Sequence, residues 1–485
     1  MDRRVKIVAT LGPSSGDSIE RLTELLQAGA NVVRINAAHG TPDERALRIR
    51  NAQEASRRLG IRVPILFDLQ GLKIRTSGQS TSGGSVEVEN GSSMRLYPTG
   101  NVLCTEDTIG INYQNLLGVI EQGSRVLISD GLIELAVDSV GSEYATATVV
   151  RGGKLKERQG VTLPGAPITG GALTDADRKD VEIAVGLGVD FLGLSFINDA
   201  SDVEAARDEA MKYEGDQPGI IAKIERSQAL DNLAAIAGAS DGVMVARGDL
   251  GVQLPPERVP RAQKDIIQVS NRLGVPVITA TQMMESMIEH PVATRAETSD
   301  VANAVWDGTD AVMLSAESAI GAYPIEAVRV MDRIIREVEK GETIRSTAAS
   351  EIAMASEYAG AVERFADAIA RAAFQLGEHS PAEHMVVFTK TGGAVKRIAK
   401  YRPAPPLIAV ADTEVVARRL NLVWGVESVV VPVEPDPDSL FKKAGQVIAD
   451  AELAGLDEWV LIVGSLPMTD RAGQTNLVHY RQLGT

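Results

Sequence analysis

At 485 residues the chain is longer than one typical domain, and length alone suggests about two to four domains. A formal net charge of −16 argues against nucleic acid as a sequence-independent partner, because phosphate binding needs a basic face; any polyanionic ligand must meet a local basic site. The single cysteine, Cys104, excludes an intrachain disulfide and a cysteine-built zinc cluster, and the five histidines are scattered without metal spacing.

Aliphatic residues and Ala carry a hydrophobic fraction of 44%, while aromatics make up 4%. That balance suits α/β proteins whose parallel strands are buried on both faces. In chain order, strands are predicted at KIVATLG (6–12), NVVRINA (31–37), PILFDLQ (64–70), FLGLSF (191–196), GIIAKIE (219–225), GVMVARGD (242–249), PVITATQ (276–282) and AVMLSAES (311–318). Amphipathic stretches lie between them: IERLTELLQAGA, DERALRIRNAQEASRRLG, DADRKDVEIAVGLG, DVEAARDEAMK and the segment from Pro256 to Leu273. Eight βα units in order predict a (β/α)8 TIM barrel, with an open doubly wound sheet as the weaker alternative.

The third unit is interrupted. Short alternating segments with Gly, Ser and Asn turns, such as SVEVENG, SRVLISDG, LIELAVDSV and YATATVV, predict an inserted all-β, barrel-like lid domain at 75–168. A helix from about 324 to 340 then leads to strands MVVFTK, PLIAVAD, ESVVVPV, WVLIVGS and NLVHYRQL, a C-terminal three-layer α/β domain at 345–485. The barrel takes 1–74 and 169–344. Arg3 and Arg4 lead directly into the first strand without a signal-type stretch, and no run of about 20 apolar residues occurs, so a cytoplasmic protein without a membrane partner is expected.

Two predicted strands end in charge. Strand alternation puts Lys223 and Glu225 on one side of GIIAKIE, and likewise Arg247 and Asp249 at the end of VMVARGDLG. Buried charges need partners or a metal, so two carboxylates with two cations suggest a metal site that handles an anion, against a pair of satisfied core salt bridges. Arg34, Asn36, Asp68, Ser195, Thr281, Ser315 and Glu317 also fall at carboxyl ends of predicted strands, the face that carries chemistry in a TIM barrel.

With KIVATLGPSS (6–15), VVRINAAHG (32–40), IAKIE (221–225), SDGVMVARGDLGVQLP (240–255), ATQMMESMI (280–288) and TRAETSDVANAVWDGTDAVMLSAES (294–318), the chain resembles the pyruvate kinase family over essentially its whole length. The resemblance implies a glycolytic kinase, an ATP-binding transferase that moves the phosphoryl group of phosphoenolpyruvate to ADP, giving ATP and pyruvate. It implies Mg2+ or Mn2+ held by Glu225 and Asp249, and Lys223 stabilising charge on the phosphoryl group and the enolate. Arg34 and Arg75 would meet phosphates, and Ser195 and the backbone from Ala246 through Arg247 and Gly248 to Asp249 would bind substrate. Thr281, with Ser315 and Glu317, would bring a proton to the enolate carbon, and Asn36, His39 and Asp130 would lie on the nucleotide side. A homotetramer is the family expectation, and no appended phosphotransfer domain is expected after the last domain.

Several positions depart from the family pattern. Ala38 and Leu69 stand where K+-dependent members carry oxygen ligands, and Lys73 stands where they carry Glu, so no K+ requirement is expected and Lys73 would act as an internal cation. Arg158 and Gln159 stand where a basic pair is usual, Leu72 replaces Pro, and SAES replaces SGET. In the last domain TKTGGA, with Thr389, Lys390, Thr391, Gly392 and Gly393, resembles the loop for an effector phosphate, a sugar phosphate or AMP, and GSLPMTDRAGQTN (464–476) resembles the loop that closes that pocket. Two other readings stay open: a Mg2+-dependent pyruvate lyase or aldolase, and a catalytically impaired metabolite sensor derived from the family.

Overall fold

The computed structural model describes residues 3–78, 85–168, 173–341, 361–432, 434, 436–465 and 475–485. Eight parallel strands close into a barrel in chain order: Lys6–Leu11, Val32–Asn36, Ile65–Asp68, Phe191–Leu194, Gly219–Ile224, Gly242–Ala246, Val277–Ala280 and Ala311–Leu314. Alternation along each strand splits its apolar side chains between two cores. Val8, Val32, Leu66, Phe191, Ile221, Met244 and Ile278 fill the barrel interior, while their sequence neighbours pack under the surrounding helices. Helix starts follow local capping chemistry. Thr41, Thr174 and Thr294 each form a reciprocal capping box with the residue three positions on.

Three of the eight strands are shorter than their sequence runs in a way that matters for chemistry. The sixth ends at Ala246 and Arg247–Gln253 is helical, so Arg247 and Asp249 are not strand neighbours sharing a face, as alternation suggested. The seventh ends at Ala280, with Thr281 in the left-handed region at φ +64°. The eighth ends at Leu314, and Glu317 sits in the short helix Ala316–Ala319. In each case the apolar run continues the sheet only while both faces remain covered; past the barrel rim the backbone turns into a helix or a tight turn.

Between the third and fourth barrel strands lies an all-β lid. Its six-stranded sheet runs in the order Val161–Thr162, Arg125–Ile128, Ile133–Val140, Ala145–Arg151, Ser93–Tyr97 and Thr108–Gly110, beside a two-stranded ribbon of Gly153–Lys156 and Ser85–Val88. It has its own apolar core, built on Met94, Leu96, Ile109, Val126, Ile128 and Leu135. Asp177, fully buried, accepts from the N–H groups of Gln70 and Gly71 at 3.0 and 3.1 Å on Oδ1 and from the N–H and the hydroxyl of Thr174 on Oδ2. One carboxylate thus holds the chain on both sides of the lid insertion.

The C-terminal domain carries the sheet Val426–Val430, Leu407–Ala411, His384–Thr389, Trp459–Gly464 and Leu477–Gln482, the last strand antiparallel, with separate apolar clusters on its two faces. It caps the amino-terminal end of the barrel. Leu422 joins the barrel's interior core, and Arg402, 1% exposed, donates to Asp310 Oδ1 at 2.8 Å. The same carboxylate accepts from Trp424 N and Val277 N, and Arg4 and Arg402 each stack on the Trp424 ring at 5.0 Å. Breaking a buried ion pair from one side leaves the other charge uncompensated, at a cost of roughly 3–5 kcal/mol. Arg402→Met is therefore expected to lower unfolding stability by about 3 kcal/mol, read from denaturant titration; a loss below about 1 kcal/mol would show that the seam does not depend on this pair.

Candidate active site

The carboxyl ends of the second, third and fifth barrel strands bring four charges together, and the end of the fourth adds Ser195. Asp68, 1% exposed, lies at the centre. Its Oδ2 accepts from Arg34 Nε at 2.7 Å, its Oδ1 lies 3.2 Å from Lys223 Nζ, and Arg34 Nη1 reaches Thr10 Oγ1 at 3.0 Å. The neighbouring strand makes room with Gly193, where a Cβ would stand 2.9 Å from Asp68 Oδ1. Lys223 Nζ also donates to Ser195 Oγ at 2.8 Å and pairs with Glu225 Oε1 at 2.7 Å. The second carboxylate oxygen of Glu225 accepts from Phe196 N at 2.7 Å. The alternation of Lys223 and Glu225 on one side of the chain is therefore observed, and Asp68 and Arg34 join them.

Burial alone would lower the Lys223 ammonium, but Asp68 and Glu225 outweigh it and raise it far above its usual range. Burial likewise pushes the Asp68 carboxyl up, and the Lys223 and Arg34 cations more than reverse that, holding it low. Glu225 goes the other way. Burial, reinforced by Asp249 and Asp68 and only partly offset by Lys223, pushes it up to about 7. Three carboxylates, Asp68, Glu225 and Asp249, share two cations, Lys223 and Arg34, which leaves one negative charge in excess. Glu225 Oε1 is buried without a hydrogen-bond donor in good geometry. An electron-rich pair of hard oxygens beside an open cleft fits a divalent cation with few protein ligands, the mode expected of Mg2+. Among the described residues no group of three or more His, Cys, Asp or Glu forms a fuller cage.

Beside this cluster a cleft of about 940 Å³ lies between barrel and lid. Asp249, Gly248 and Thr281 form its barrel side, Lys264 and Asp300 its far wall, and Lys73 and Asp130 reach it from the lid approach. Thr281 Oγ1 donates to Ala280 O at 2.7 Å and accepts from Gly248 N at 2.8 Å. Glu317, 1% exposed, accepts from Ser315 N and Met284 N at 2.8 and 3.2 Å, and burial raises its carboxyl against those bonds. Ser315 Oγ is buried without a partner.

Other expected site residues are placed differently. Asn36 turns its side chain onto Ala38 N at 3.1 Å, His39 is exposed, and Arg75 donates to Arg158 O at 3.2 Å within the lid. Gln159 bonds Ser129 Oγ at 3.0 Å through Nε2 and accepts Lys156 N through Oε1, which braces the turn preceding Asp130. In the C-terminal domain Thr389 Oγ1 accepts from Gly392 N at 2.9 Å, and Gly392 adopts φ +86°. Most of the expected closing loop, residues 466–474, lies outside the described residues. Two contributors escaped the sequence reading: Thr10, on the first strand, and Asp300, on a helix. Neither stands at a strand's carboxyl end in a charged motif, so periodicity gave no signal for them.

The pyruvate kinase barrel-domain model matches residues 2–328, and the pyruvate kinase alpha/beta-domain model matches residues 367–479. The chain belongs to the pyruvate kinase family. It is 40% identical over 481 residues to the pyruvate kinase of Geobacillus stearothermophilus, covering 99% of this chain and 80% of that one. Against the Staphylococcus saprophyticus pyruvate kinase the identity is 39% over 484 residues, covering 99% and 81%. A crystal structure of a pyruvate kinase from Cryptosporidium parvum superposes with a TM-score of 0.92 at 32% identity, covering 99% of this chain and 96% of that one. The activity is that of a pyruvate kinase, a phosphotransferase of glycolysis; the family binds phosphoenolpyruvate and ADP and generally uses Mg2+. No described helix is long and apolar enough to cross a membrane.

Proposed function

We propose that phosphoryl transfer is carried by the Lys223 cluster, and the single supporting observation is the buried contact of Lys223 Nζ with Asp68, Glu225 and Ser195 together. Glu225 and Asp249 would hold the divalent cation, which when bound would supply positive charge to offset the negative charge that develops on the substrate. Asp68 locks Arg34 and Lys223 in place before substrate arrives, so their positive charge needs no reorganisation as negative charge shifts from the phosphoryl oxygens to the enolate. The backbone at Gly248 and Asp249, where the helix begins, lines the place of the substrate carboxylate, with the N–H of Gly248 held by Thr281 Oγ1 and that of Asp249 left to face the ligand. Thr281 delivers the proton to the enolate carbon: the new C–H bond takes the electron pair of the enolate double bond, and the hydroxyl is recharged by a relay that includes Ser315 and Glu317. Asp130 faces the nucleotide from the lid.

Lys223→Met is expected to cut kcat by at least roughly 10²- to 10³-fold while metal and phosphoenolpyruvate binding change little, because a charge aimed at the transition state is lost. A coupled assay of pyruvate formation, with binding followed by calorimetry, checks this. Near-normal turnover would remove Lys223 from the mechanism; absence of pyruvate formation by the unaltered chain would favour the impaired-sensor reading.

We further propose that turnover needs no K+. Ala38 and Leu69 supply no oxygen ligand, the Asn36 side chain is occupied by Ala38 N, and exposed Lys73 stands in the cleft with its Cε 3.7 Å from where a Cβ on Gly160 of the lid would be. A second cation a few ångströms from the Lys73 ammonium would be repelled by about 4 kcal/mol at an intermediate dielectric. Equal turnover in K+ and in a bulky organic cation at matched ionic strength is expected, with Lys73→Glu weakening phosphoenolpyruvate binding. A rate more than about tenfold higher in K+ would refute the replacement.

The C-terminal loop Thr389–Gly393 is proposed as part of an effector site for a phosphorylated metabolite. Support comes from a cavity of about 70 Å³ at the barrel seam, lined by Thr391, Lys396, Arg419 and Asp241. Arg419 Nε is buried without a partner there, and burial lowers the Lys396 ammonium. Replacing Thr389, Lys390 and Thr391 together with Ala is expected to abolish activation by sugar phosphates or AMP and to spare basal turnover. A wild-type chain whose substrate midpoint ignores every such compound would make the loop structural.

A further inference from the structure

The Arg247 guanidinium, on the first residue of its helix, turns away from the Lys223 cluster and spends its donors elsewhere. Nε lies 3.4 Å from Ala280 O and 3.2 Å from Thr281 O, and Nη2 donates to Thr281 O at 2.6 Å and to Gln282 O at 3.0 Å. Nη1 donates to Asp300 Oδ1 at 2.8 Å and Gln263 Oε1 at 3.3 Å, and Nη2 lies 2.7 Å from Asp300 Oδ2. Three successive carbonyls of one turn are thus drawn onto a planar fork that Asp300 fixes from behind, the bidentate geometry for which Arg is suited and Lys is not. The clasped residues are the ones in an unfavourable conformation: Thr281 has φ +64° and Gln282 φ +54°, a region that a β-branched threonine rarely enters. That conformation puts Thr281 Oγ1 on Gly248 N at 2.8 Å, one residue from Arg247 itself.

We propose that Arg247, held by Asp300, is a positioning residue for the proton-transfer step, fixing the left-handed turn that aims the Thr281 hydroxyl into the cleft. The inference rests on the reading of Thr281 as the group that protonates the enolate. The Arg247 guanidinium, with its donors on Asp300, Gln263 and the carbonyls of the Thr281 turn, acts through that turn. A displacement of about 1 Å at a reacting group can cost roughly 10²-fold, so the consequence appears in proton transfer rather than in substrate affinity.

The test uses Arg247→Lys, Asp300→Asn and Thr281→Val in the full chain, with Mg2+. Deuterium exchange into the pyruvate methyl group, followed by NMR, reads proton transfer alone. Steady-state kinetics and calorimetric phosphoenolpyruvate affinity read turnover and binding. Expected for Arg247→Lys is a loss of about 10²-fold in both exchange and kcat, with affinity within about threefold of wild type, and for Asp300→Asn a smaller loss of the same kind, which carries the test if the first variant does not fold. Wild-type exchange in both variants while Thr281→Val abolishes it overturns the positioning role. Affinity falling in step with kcat also overturns it, since Arg247 would then be shaping the substrate cradle. Wild-type exchange in Thr281→Val instead removes the reading of Thr281 on which the inference rests, and the inference with it.

Discussion

Everything at the carboxyl face of the barrel depends on one requirement: the Asp68 carboxylate, buried beneath it, must be neutralised from two directions. Arg34 comes from the adjacent second strand and Lys223 from the fifth, across the fourth, and they meet on its two oxygens. Arg34 has Asp68 as its ion-pair partner, and Asp68 could not be buried without its two cations, because an isolated buried charge costs several kcal/mol. Their mutual dependence fixes the register of three barrel strands at the rim and holds two cations rigidly where phosphoryl oxygens arrive. Gly193 belongs to this constraint as much as the charges do, since its missing side chain is the space that Asp68 fills.

The surplus carboxylate turns structural neutrality into chemistry. Glu225 shares Lys223 with Asp68 and faces Asp249 across the site, so the folded chain holds more negative charge than it can offset. The shortfall is of the sign that a bound metal cation supplies, which links a folding constraint to a cofactor requirement.

The barrel was legible because all eight strands are buried on both faces and read as mainly apolar runs, with helices between them long enough to show their period. The lid was legible as alternation, although its shortest strands, such as Val161–Thr162 and Thr108–Gly110, are too brief to signal themselves. Lys223 and Glu225 were legible because both stand at the end of an apolar run, where a charge is out of place. Arg247 and Asp249 looked alike for the same reason, yet the sheet had already ended at Ala246, and the two side chains do different work: one faces the cleft beside Glu225, the other grips a neighbouring turn. Local pattern records that a charge is buried; it does not record which distant carbonyls or carboxylates receive it. The Arg247 to Asp300 pairing and the joining of Asp310, Arg402 and Trp424 at the opposite end are set by tertiary contacts across tens to hundreds of residues.

Asp177 gives the lid a particular mechanical character. Because this carboxylate ties Gln70 and Gly71 to Thr174, the two peptide segments that cross between barrel and lid are stapled to each other on the barrel side. The staple stands between the lid and the Ile65–Asp68 strand, so a swing of the lid meets these bonds before it reaches the charge cluster at that strand's end. A chain built this way can change the size, surface or sequence of its inserted domain over generations without disturbing the alignment of the groups beneath it.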